Sequence, residues 1–555
     1  MTKFNFCLVD ALEKILPNRQ PNLQPPISLR GFAGEELSFQ LAYICSNDDL
    51  GDTERTFCCE ACSDLDGAHL MIQRTGLVPC SYPCHGTYDD NYLSTKPGLY
   101  PDLLIPLSQD EKVKAIPNQW RSIFITIQLP ATVRTGSYTV SVKASPCDGS
   151  SKSILDTQFY VCDKLLPKQR IFHTEWFHTD CLADYYHVPV FSEKHWEIIS
   201  NFMESAHQHR INMLLTPLFT PPLDTEKGGE RTTVQLIGIR KTGTEYRFDF
   251  SKLHRWIGLC EEHQIEYLEM AHLFSQWGAM YAPKVMGTDD AGNEVQLFGW
   301  NNSATSEEYC GFLHCFIPQL KAFLLEEGWL NRTWFHISDE PHDNEMETFA
   351  KAKQSVDDLL ADCQVMDALS SYEIYRQGYV RQPVVSVDHI EKFIDNKVPH
   401  LWAYYCTCQA IDVPNRFMAM PSTRNRVIGV LLYYYAIEGF LHWGFNFYNS
   451  QCSRSHIDPY KVTDAGDAFP SGDPFLVYPA PDGTAYDSIR GMILKEAFED
   501  YRALTLLEEK IGRDAVLKIL EDLCGSKPTF EKYPCSIDFF ANMRKAITER
   551  LECNI

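Results

Sequence analysis

Two adjacent carboxylates, Asp339 and Glu340, follow the apolar run TWFHIS at 333–338 and precede Pro341. Neighbouring side chains on a strand point to opposite faces, so the two acids can share a ligand only if the chain turns there. Pro341 favours such an end to the strand because it has no N–H to donate to a sheet. Held together in a partly apolar pocket, two carboxylates resist ionising at once, and one keeps its proton near neutral pH. The pair therefore predicts acid–base chemistry by one proton donor and one anion.

The same residues have a plainer interpretation. The sequence DEPHDNE at 339–345 is also typical of an acidic loop that begins a helix, where Asp and Glu interact favourably with the helix dipole. The DEP tripeptide alone favours this loop, and only the elements around it favour a catalytic pair.

Those elements are short apolar strands that alternate with amphipathic stretches whose apolar residues recur at spacings of three and four. Eight strand–helix repeats of this length predict a (β/α)₈ barrel of the TIM type. Within it, Trp334 and Trp402 are predicted to fill the barrel core. The predicted strands are 171–177, 211–216, 265–270, 333–338, 364–369, 384–387, 400–405 and 439–445.

In such a barrel the chemistry lies at the carboxyl ends of the strands. The side chains there are acids, aromatic rings and hydrogen-bonding groups, a combination that suits a sugar with one apolar face and a rim of hydroxyls. No glycine-rich phosphate loop, nucleophile elbow or dinucleotide fingerprint competes with this interpretation. The predicted substrate-binding residues are Trp176, His178, His272, Tyr372, Tyr405, Trp443 and Asn446.

The adjacency of the two acids indicates how a sugar would react. Most glycosidases hold their carboxylates on opposite sides of the scissile bond, about 5 Å or more apart. Adjacent acids fit better a 2-acetamido sugar whose own carbonyl oxygen attacks the anomeric carbon, while one acid orients the acetamide and the other protonates the leaving oxygen. Two alternatives stay open. Glu373 or Glu175 could partner Glu340 on a sugar without the acetamide, or the barrel could bind carbohydrate without catalysis.

Two regions flank the predicted barrel at 166–455. Residues 1–165 alternate apolar and polar residues in segments such as ELSFQLAYIC and SIFITIQLP, and turns separate these segments, which predicts an all-β sandwich. Residues 456–555 hold a loop rich in Gly, Asp and Pro followed by helices, which we predict to form a helical cap. Arg490 and Glu496 are predicted to form a structural ion pair there.

Composition excludes several classes of partner. The formal net charge of -24 and the absence of a basic cluster argue against nucleic acid. The longest apolar run, 427–437, is too short to cross a bilayer, which argues against membrane insertion. The N-terminal stretch has no apolar segment of signal-peptide length, so the sequence predicts a cytoplasmic protein. A homo-oligomer is left open.

The cysteines predict neither a disulfide framework nor a cofactor site. Twenty cysteines without a signal peptide indicate free thiols in a reducing compartment. Cys58, Cys62, Cys80, Cys84 and His85 fall close together in the sequence, but their spacing does not match the common zinc knuckle. We predict no metal and no cofactor.

Four motifs together resemble glycoside hydrolase family 123, the β-N-acetylgalactosaminidases with an N-terminal β-sandwich and a (β/α)₈ catalytic domain. The resemblance implies a retaining, substrate-assisted mechanism through an oxazoline-type intermediate on a terminal 2-acetamido sugar, with GalNAc preferred over GlcNAc. It further implies that Asp339 orients the acetamide, that Glu340 is the general acid and then the base, and that Trp443 is a stacking face. The motifs are TEWFHTDC at 174–181, HISDEP at 336–341, GFLHWGFNFY at 439–448, and GDPFLVYP with SIRGMILKEAFEDYRAL within 472–504.

Overall fold

The N-terminal region consists of ten strands in two sheets, in a computed structural model that describes residues 4–23, 27–46, 55–108, 110–341 and 345–553. The period-two alternation of apolar residues gives each sheet one buried face. The strands are β1 (Phe4–Asp10), β2 (Leu29–Ala33), β3 (Glu36–Cys45), β4 (Thr56–Ser63), β5 (His69–Cys80), β6 (Gly98–Pro106), β7 (Val113–Lys114), β8 (Arg121–Gln128), β9 (Gly136–Pro146) and β10 (Ser153–Leu165).

The two sheets pack face to face. One has the strand order β1-β3-β8-β5-β6 and the other β2-β10-β9-β4-β7, and only the pairing of β2 with β10 is parallel. Phe39 and Ile125 from the first sheet share a buried cluster with Phe57, Val142 and Phe159 from the second. The predicted N-terminal β-sandwich is thereby confirmed.

Eight parallel strands then close into a barrel in chain order, and the last strand pairs with the first. This confirms the predicted (β/α)₈ architecture. The barrel strands are β11 (Phe172–Glu175), β12 (Met213–Thr216), β15 (Tyr267–Met270), β18 (Thr333–Phe335), β19 (Gln364–Leu369), β20 (Gln382–Ser386), β21 (Trp402–Tyr404) and β22 (Gly439–His442).

Strand β18 differs most from its prediction at its carboxyl end. It ends at Phe335, three residues before the predicted end at 338, so residues 336–341 form the connection that carries the acid pair. The side chain of Asp367 explains the early end, because its Oδ1 accepts hydrogen bonds from the backbone N–H groups of Ile337 (2.9 Å) and Ser338 (3.2 Å). Those N–H groups are thus satisfied without a neighbouring strand.

Aromatic rings fill the amino-terminal end of the barrel. Phe172 stacks on Trp402 with ring centroids 5.2 Å apart, and Trp334 lies 4.9 Å from Phe172. Gly439 makes room for this plug, since a Cβ there would lie 2.1 Å from the Trp402 ring. The barrel is closed at this end, and the open space lies at the carboxyl end of the strands.

Eleven helices surround these sheets in the described ranges. The helices at 193–208, 251–262 and 307–326 each bury their apolar residues. The helix at 489–511 is buried along most of its length. The helices are α1 (Thr179–Tyr186), α2 (Glu193–Gln208), α3 (Ser251–Glu262), α4 (Glu307–Glu326), α5 (Met346–Gln354), α6 (Tyr372–Arg376), α7 (Glu391–Asp395), α8 (Ser422–Tyr434), α9 (Ile489–Ile511), α10 (Arg513–Cys524) and α11 (Ile537–Glu552).

Helix α9 follows the eighth barrel strand and packs closely on α8. A Cβ at Gly429 of α8 would lie 1.9 Å from the Ala497 carbonyl oxygen of α9, so glycine is required for this approach. Helices α10 and α11 follow and contact α9. That residues 456–555 act as a cap, and that domains divide at 165 and 455, stay predictions.

Two small sheets lie outside the predicted architecture. A four-stranded sheet has the order β14-β13-β16-β17 and is formed by the segments after the second and third barrel strands, and a two-stranded one lies before α9. The additional strands are β13 (Gly238–Thr242), β14 (Glu245–Asp249), β16 (Val285–Thr288), β17 (Glu294–Phe298), β23 (Tyr478–Pro479) and β24 (Ala485–Tyr486).

A buried ion-pair network, which we call the arginine junction, joins the sandwich to the C-terminal helices through Glu35, Arg426, Glu496, Asp500 and Arg544. Arg544 contacts Glu35 and Asp500, each at 2.6 Å, and Arg426 contacts Asp500 at 2.7 Å and Glu496 at 2.6 Å. Each of the two arginines thus lies between two carboxylates.

Two further buried cations connect the N-terminal region to the rest of the chain. Arg490 pairs with Asp102 of β6 at 2.8 Å, so the predicted Arg490–Glu496 pair is wrong. Lys14 donates from Nζ to three backbone carbonyl oxygens, those of Phe417 (3.3 Å), Met418 (2.9 Å) and Met420 (2.7 Å). Burial lowers the pKa of Lys14 to about 8.

The cysteines are free thiols, and the sequence cluster at 58–85 is divided between sheets. Cys58 and Cys62 lie on β4, whereas Cys80 ends β5 in the opposite sheet. Over the described ranges, no group of three or more His, Cys, Asp or Glu side chains is arranged to hold a metal ion. No helix in those ranges is both long and apolar enough to cross a membrane.

Candidate active site

A cavity of about 170 Å³ opens at the carboxyl ends of the barrel strands. Its wall combines three acids, five aromatic side chains and several apolar or amide side chains. The lining residues are Trp176, Leu223, Asp224, Gln276, Trp277, Asp339, Glu340, Ala368, Tyr404, Cys406, Thr407, Leu441, Trp443, Gln451, Cys452 and Phe469.

Asp339 and Glu340 both line this cavity because the chain turns between them. Glu340 has φ +44°, a left-handed conformation that is uncommon for a residue with a Cβ. The turn is held from the neighbouring loop, since the N–H of Trp277 donates to the carbonyl oxygen of Asp339 (3.2 Å) and the Ser338 hydroxyl donates to that of Ser275 (2.7 Å). Backbone strain at residue 340 is therefore what places two consecutive side chains in one pocket.

Each acid has its own hydrogen-bond donor. Gln276 Nε2 donates to Asp339 Oδ2 at 2.6 Å, and the Tyr404 hydroxyl donates to Glu340 Oε1 at 2.5 Å. The orientation of the Gln276 amide is fixed, because its Oε1 accepts from the backbone N–H of Asp224 at 2.5 Å. The loops after the second, third and fourth strands are thus joined through one amide.

The acids differ in exposure and in charge. Asp339 is 5% exposed, and burial together with the adjacent Glu340 carboxylate raises the pKa of Asp339 to about 8, against the opposing effects of Gln276 and His336. In the empty cavity at neutral pH, Asp339 therefore holds a proton. Glu340, which accepts from the Tyr404 hydroxyl, is half-buried.

A second buried cluster lies beneath the pair. Glu269 of β15 accepts from His336 Nε2 (2.8 Å), from Trp176 Nε1 (2.7 Å) and from the Thr174 hydroxyl. His336 Nδ1 lies 3.5 Å from Asp367 Oδ1 on the other side. Burial disfavours a charged imidazole, but Asp367 and Glu269 outweigh it and raise the pKa of His336 to about 10. An imidazolium therefore lies under the cavity floor.

Two tryptophans of the cavity wall, Trp176 and Trp443, are held by buried acidic side chains. Trp176 donates its indole N–H to Glu269, and Trp443 donates its own to Asp473 Oδ2 at 2.8 Å. Burial raises the pKa of Asp473 to about 7, with Arg416 opposing. Each indole N–H is thus held by a buried acidic side chain, and both rings line the cavity.

Two of the predicted binding residues lie behind the wall. Asn446 Oδ1 accepts from the backbone N–H of His178 (2.8 Å) and its Nδ2 donates to the His178 carbonyl oxygen (3.1 Å). His178 Nε2 contacts the carbonyl oxygen of Trp443 at 2.8 Å. Burial, with Arg231 nearby, lowers the pKa of His178 to about 4, so the ring is neutral. These two residues support the backbone of Trp443 and do not line the cavity.

Three others lie apart from it. His272 stacks on His336 with ring centroids 4.3 Å apart, below Trp176. Tyr405 points to the outer side of its strand and donates to Asn425 Oδ1 at 3.2 Å. Tyr372 lines a separate surface depression beside Glu373. Of the seven predicted binding residues, the structure brings Trp176 and Trp443 to the acid pair.

The alternative acids are engaged elsewhere. Glu175 lies in a buried ion pair with Arg416, whose Nη1 contacts its two oxygens at 2.6 and 2.8 Å. Glu373 is exposed, and the Arg376 guanidinium beside it lowers the pKa of Glu373 to about 2. Neither lines the cavity, so neither is placed to form a two-acid site with Glu340.

Tyr404, Gln276 and Asp224 were not among the predicted binding residues. The signal for Tyr404 was present, because strand alternation that puts Trp402 inside the barrel also puts Tyr404 inside and Tyr405 outside. Gln276 and Asp224 lie on loops whose course depends on left-handed residues such as Asp224 (φ +41°) and Trp277 (φ +54°). No periodicity predicts that course.

Comparison with solved structures gives a fold match over nearly the whole chain. A family 123 glycoside hydrolase from Clostridium perfringens, described in work on glycolipid glycan hydrolysis, aligns with a TM-score of 0.71 at 15% identity, over 99% of this chain and 96% of that one. A Parabacteroides merdae β-glucuronidase has a TM-score of 0.30 at 10% identity, over 90% of this chain and 52% of that one. An endo-β-1,4-mannanase from Thermotoga petrophila has 0.33 at 12% identity, over 60% of this chain and 77% of that one. A search of curated proteins finds no match.

The sequence itself matches one family. Residues 176–507, more than half of the chain, match the catalytic domain of glycoside hydrolase 123. The matched range begins at Trp176 on the cavity wall, contains the acid pair and extends through most of α9. The chain therefore belongs to glycoside hydrolase family 123 and is a glycosidase.

Proposed function

We propose that this glycosidase is an exo-acting, retaining β-N-acetylgalactosaminidase that acts on glycans or glycolipid headgroups through its substrate's 2-acetamido group. The observation that carries the proposal is that two consecutive carboxylates, Asp339 and Glu340, line one cavity between anchored indole rings. The glycolipid substrates ascribed to the Clostridium perfringens relative support the choice of substrate class, and the family supports GalNAc.

The two acids divide the work. Asp339 accepts the acetamide N–H and turns the carbonyl oxygen toward the anomeric carbon, where it forms the new C–O bond of an oxazoline-type intermediate. Glu340 gives its proton to the glycosidic oxygen as the bond to the leaving sugar breaks. Glu340 then removes a proton from water, which attacks the anomeric carbon and reopens the ring. Two inversions give net retention.

Substrate binding redistributes the proton of the pair. Asp339 holds it in the empty cavity, but an acetamide N–H that donates to Asp339 stabilises the carboxylate form. The positive imidazolium of His336 beneath favours the same form. The proton then belongs on Glu340, which faces the glycosidic oxygen. Glu340 is thereby protonated, and ready to act as the acid, only when a 2-acetamido sugar is bound.

The cavity limits what can bind. At about 170 Å³ it is smaller than the roughly 300–1,000 Å³ of typical ligand sites, so it suits one terminal sugar ring. Trp176 and Trp443 offer indole faces for the apolar side of that ring. These features support exo action.

The first experiment measures nitrophenol release from the β-GalNAc and β-GlcNAc nitrophenyl glycosides. We expect faster release from β-GalNAc and tight binding of a GalNAc-derived thiazoline, which mimics the cyclised intermediate. Glu340→Gln and Asp339→Asn should each lower kcat/KM by about 10²–10⁴ while the protein stays folded. Glu373→Gln, which removes the exposed acid, is the matched control and should resemble the parent.

Three outcomes would contradict parts of the proposal. Release from neither glycoside by folded protein would reject the hexosaminidase activity. A faster reaction with β-GlcNAc would reject the GalNAc preference alone. Sugar binding without turnover, unchanged in both acid variants, would favour a binding protein.

A further inference from the structure

The mouth of the cavity carries an aromatic ring that the single-ring reaction above does not use. Trp277 lines the cavity yet is 37% exposed, whereas Trp176 is 3% exposed. Among the described residues its ring stacks on no other aromatic ring and its indole N–H has no acceptor. A large, amphipathic side chain left half in water at a binding cleft is a candidate contact for a ligand that extends beyond it.

The backbone that carries this ring has an unusual conformation. Residues 277, 278 and 279 all have positive φ, at +54°, +93° and +52°. The N–H of Trp277 donates to the carbonyl oxygen of Asp339, so the ring and the acid pair are fixed to the same turn. A Cβ at Gly278 would lie 2.8 Å from the Glu345 side chain, which excludes other residues there. The turn that carries Trp277 is thus joined directly to the acid pair.

An exposed amide lies on another side of the mouth. Gln451 lies on the loop after the eighth barrel strand, and Trp277 lies on the loop after the third. Because the barrel is closed, only the first and second strands lie between these two positions. Gln451 is exposed, lines the cavity, and among the described residues its side-chain amide has no hydrogen-bond partner.

Asp224 fixes the two sides relative to each other. Its N–H donates to Gln276 in the Trp277 loop, and its Oδ2 accepts from the N–H of Cys452, next to Gln451, at 2.9 Å. The Ser453 hydroxyl donates to its carbonyl oxygen at 2.8 Å. Asp224 therefore joins the loop that carries Trp277 to the loop that carries Gln451 by hydrogen bonds.

We infer that Trp277 and Gln451 form the binding site for the leaving sugar, the hexose next to the terminal N-acetylhexosamine. This inference rests on the proposed function. A pyranose has an apolar face for the indole and hydroxyls for the amide. The exposed apolar surface at this turn is confined to Trp277 and Met280 (45% exposed), too little for a lipid surface, and the net charge of -24 repels anionic membranes.

The experiment compares the parent with Trp277→Ala, Gln451→Ala and Met280→Ala. Met280 is an exposed apolar residue of the same turn that does not line the cavity, so Met280→Ala is the matched control. Two readouts are needed: hydrolysis of a disaccharide with β-linked GalNAc on galactose, and the Kd of the GalNAc-derived thiazoline, which fills only the inner position.

We expect Trp277→Ala to raise KM for the disaccharide about tenfold and Gln451→Ala about threefold. The thiazoline Kd and kcat should stay within about twofold of the parent, and Met280→Ala should match the parent throughout. A disaccharide KM unchanged in Trp277→Ala would overturn the inference. So would a parallel loss of thiazoline binding, which would make Trp277 part of the inner position.

Calorimetry with GalNAc and the disaccharide separates this inference from the proposed function. Suppose that the parent turns over neither glycoside but binds the disaccharide more tightly than GalNAc. If Trp277→Ala abolishes that difference in affinity, the leaving-sugar site is supported and the proposed activity is rejected. If the parent is active and Trp277→Ala behaves as Met280→Ala does, the activity stands and the site fails.

Discussion

Asp339 in the cavity and Asp500 in the arginine junction are both buried aspartates, yet they have opposite properties. Burial alone would raise both pKa values. At Asp500 the flanking Arg426 and Arg544 outweigh burial and lower the pKa, whereas at Asp339 the nearest charge is another carboxylate and the pKa rises to about 8. For these two aspartates, the sign of the neighbouring charge, and not burial, decides the direction of the pKa shift.

The comparison also shows where the protein gives up stability. Charges in the arginine junction are compensated on both sides, and removal of one partner leaves an unpaired ion. The cavity instead holds two adjacent acids and a left-handed Glu340, and burial together with the Glu340 carboxylate disfavours the charged form of Asp339. Function therefore coincides with unfavourable local energy, which the rest of the barrel must offset.

The largest expected effect comes from Arg544→Met. It removes the charge between Glu35 and Asp500, so we expect the free energy of unfolding to fall by about 3–5 kcal/mol in denaturant titrations. Arg550→Met, on the exposed side of the same helix, should change it by less than about 0.5 kcal/mol. If Arg544→Met lowered the free energy of unfolding by less than about 1 kcal/mol, the arginine junction would not stabilise the fold as stated.

The second prediction is that Asp339→Asn stabilises the fold while abolishing activity. A carboxyl whose pKa is raised from 3.8 to about 8 contributes its full stability below pH 3.8 and loses it as the pH rises through 8. Asparagine does not titrate, so its advantage over aspartate should grow between pH 4 and pH 8, by up to about 1.4 kcal/mol for each pH unit.

Thermal unfolding at pH 4, 6 and 8 measures this gain. Asp500→Asn is the paired variant and should destabilise the protein, because the lowered pKa of Asp500 means that its charged form is the one the fold favours. If both variants destabilise equally at pH 8, the two aspartates do not differ as stated.

The smallest expected effect concerns neighbouring tyrosines on opposite faces of β21. Tyr404→Phe removes the donor to Glu340 and should lower kcat about tenfold, with little change in melting temperature. Tyr405→Phe leaves Asn425 without its donor and should lower stability by about 1 kcal/mol with kcat unchanged. Equal kcat values for the two variants would contradict the assignment of Tyr404 to the site.

The barrel could be predicted because its strands are short apolar runs whose spacing survives errors at their ends. β20 is Gln382–Ser386 against the predicted 384–387, and this shift leaves the architecture unchanged. The site residues are harder to predict, because an error of one residue along a strand exchanges the side chains inside the barrel for those outside it. Tyr405 was predicted where Tyr404 lies, although Trp402 in the core already fixed the alternation.

Other features depend on contacts that no local pattern contains. The Asp367 carboxylate that ends β18 early is on the next strand of the barrel, and the amide that joins Asp224 to Asp339 comes from a third loop. Asn446 and His178 were predicted for their polarity at strand ends, but the Asn446 amide bonds to the His178 backbone and the His178 ring contacts the Trp443 carbonyl oxygen. Polar residues at strand ends can equally support the wall or face the ligand, and only the fold decides.

The contacts of Lys14 bear on whether the barrel can be separated from the N-terminal sandwich. Its ammonium group satisfies the carbonyl oxygens of Phe417, Met418 and Met420, directly after the Arg416 that holds Glu175. A fragment starting at 166 would leave those acceptors orphaned in the interior and would also remove Glu35 and Asp102 from their arginines. We therefore expect the barrel to lose stability when it is separated from the sandwich.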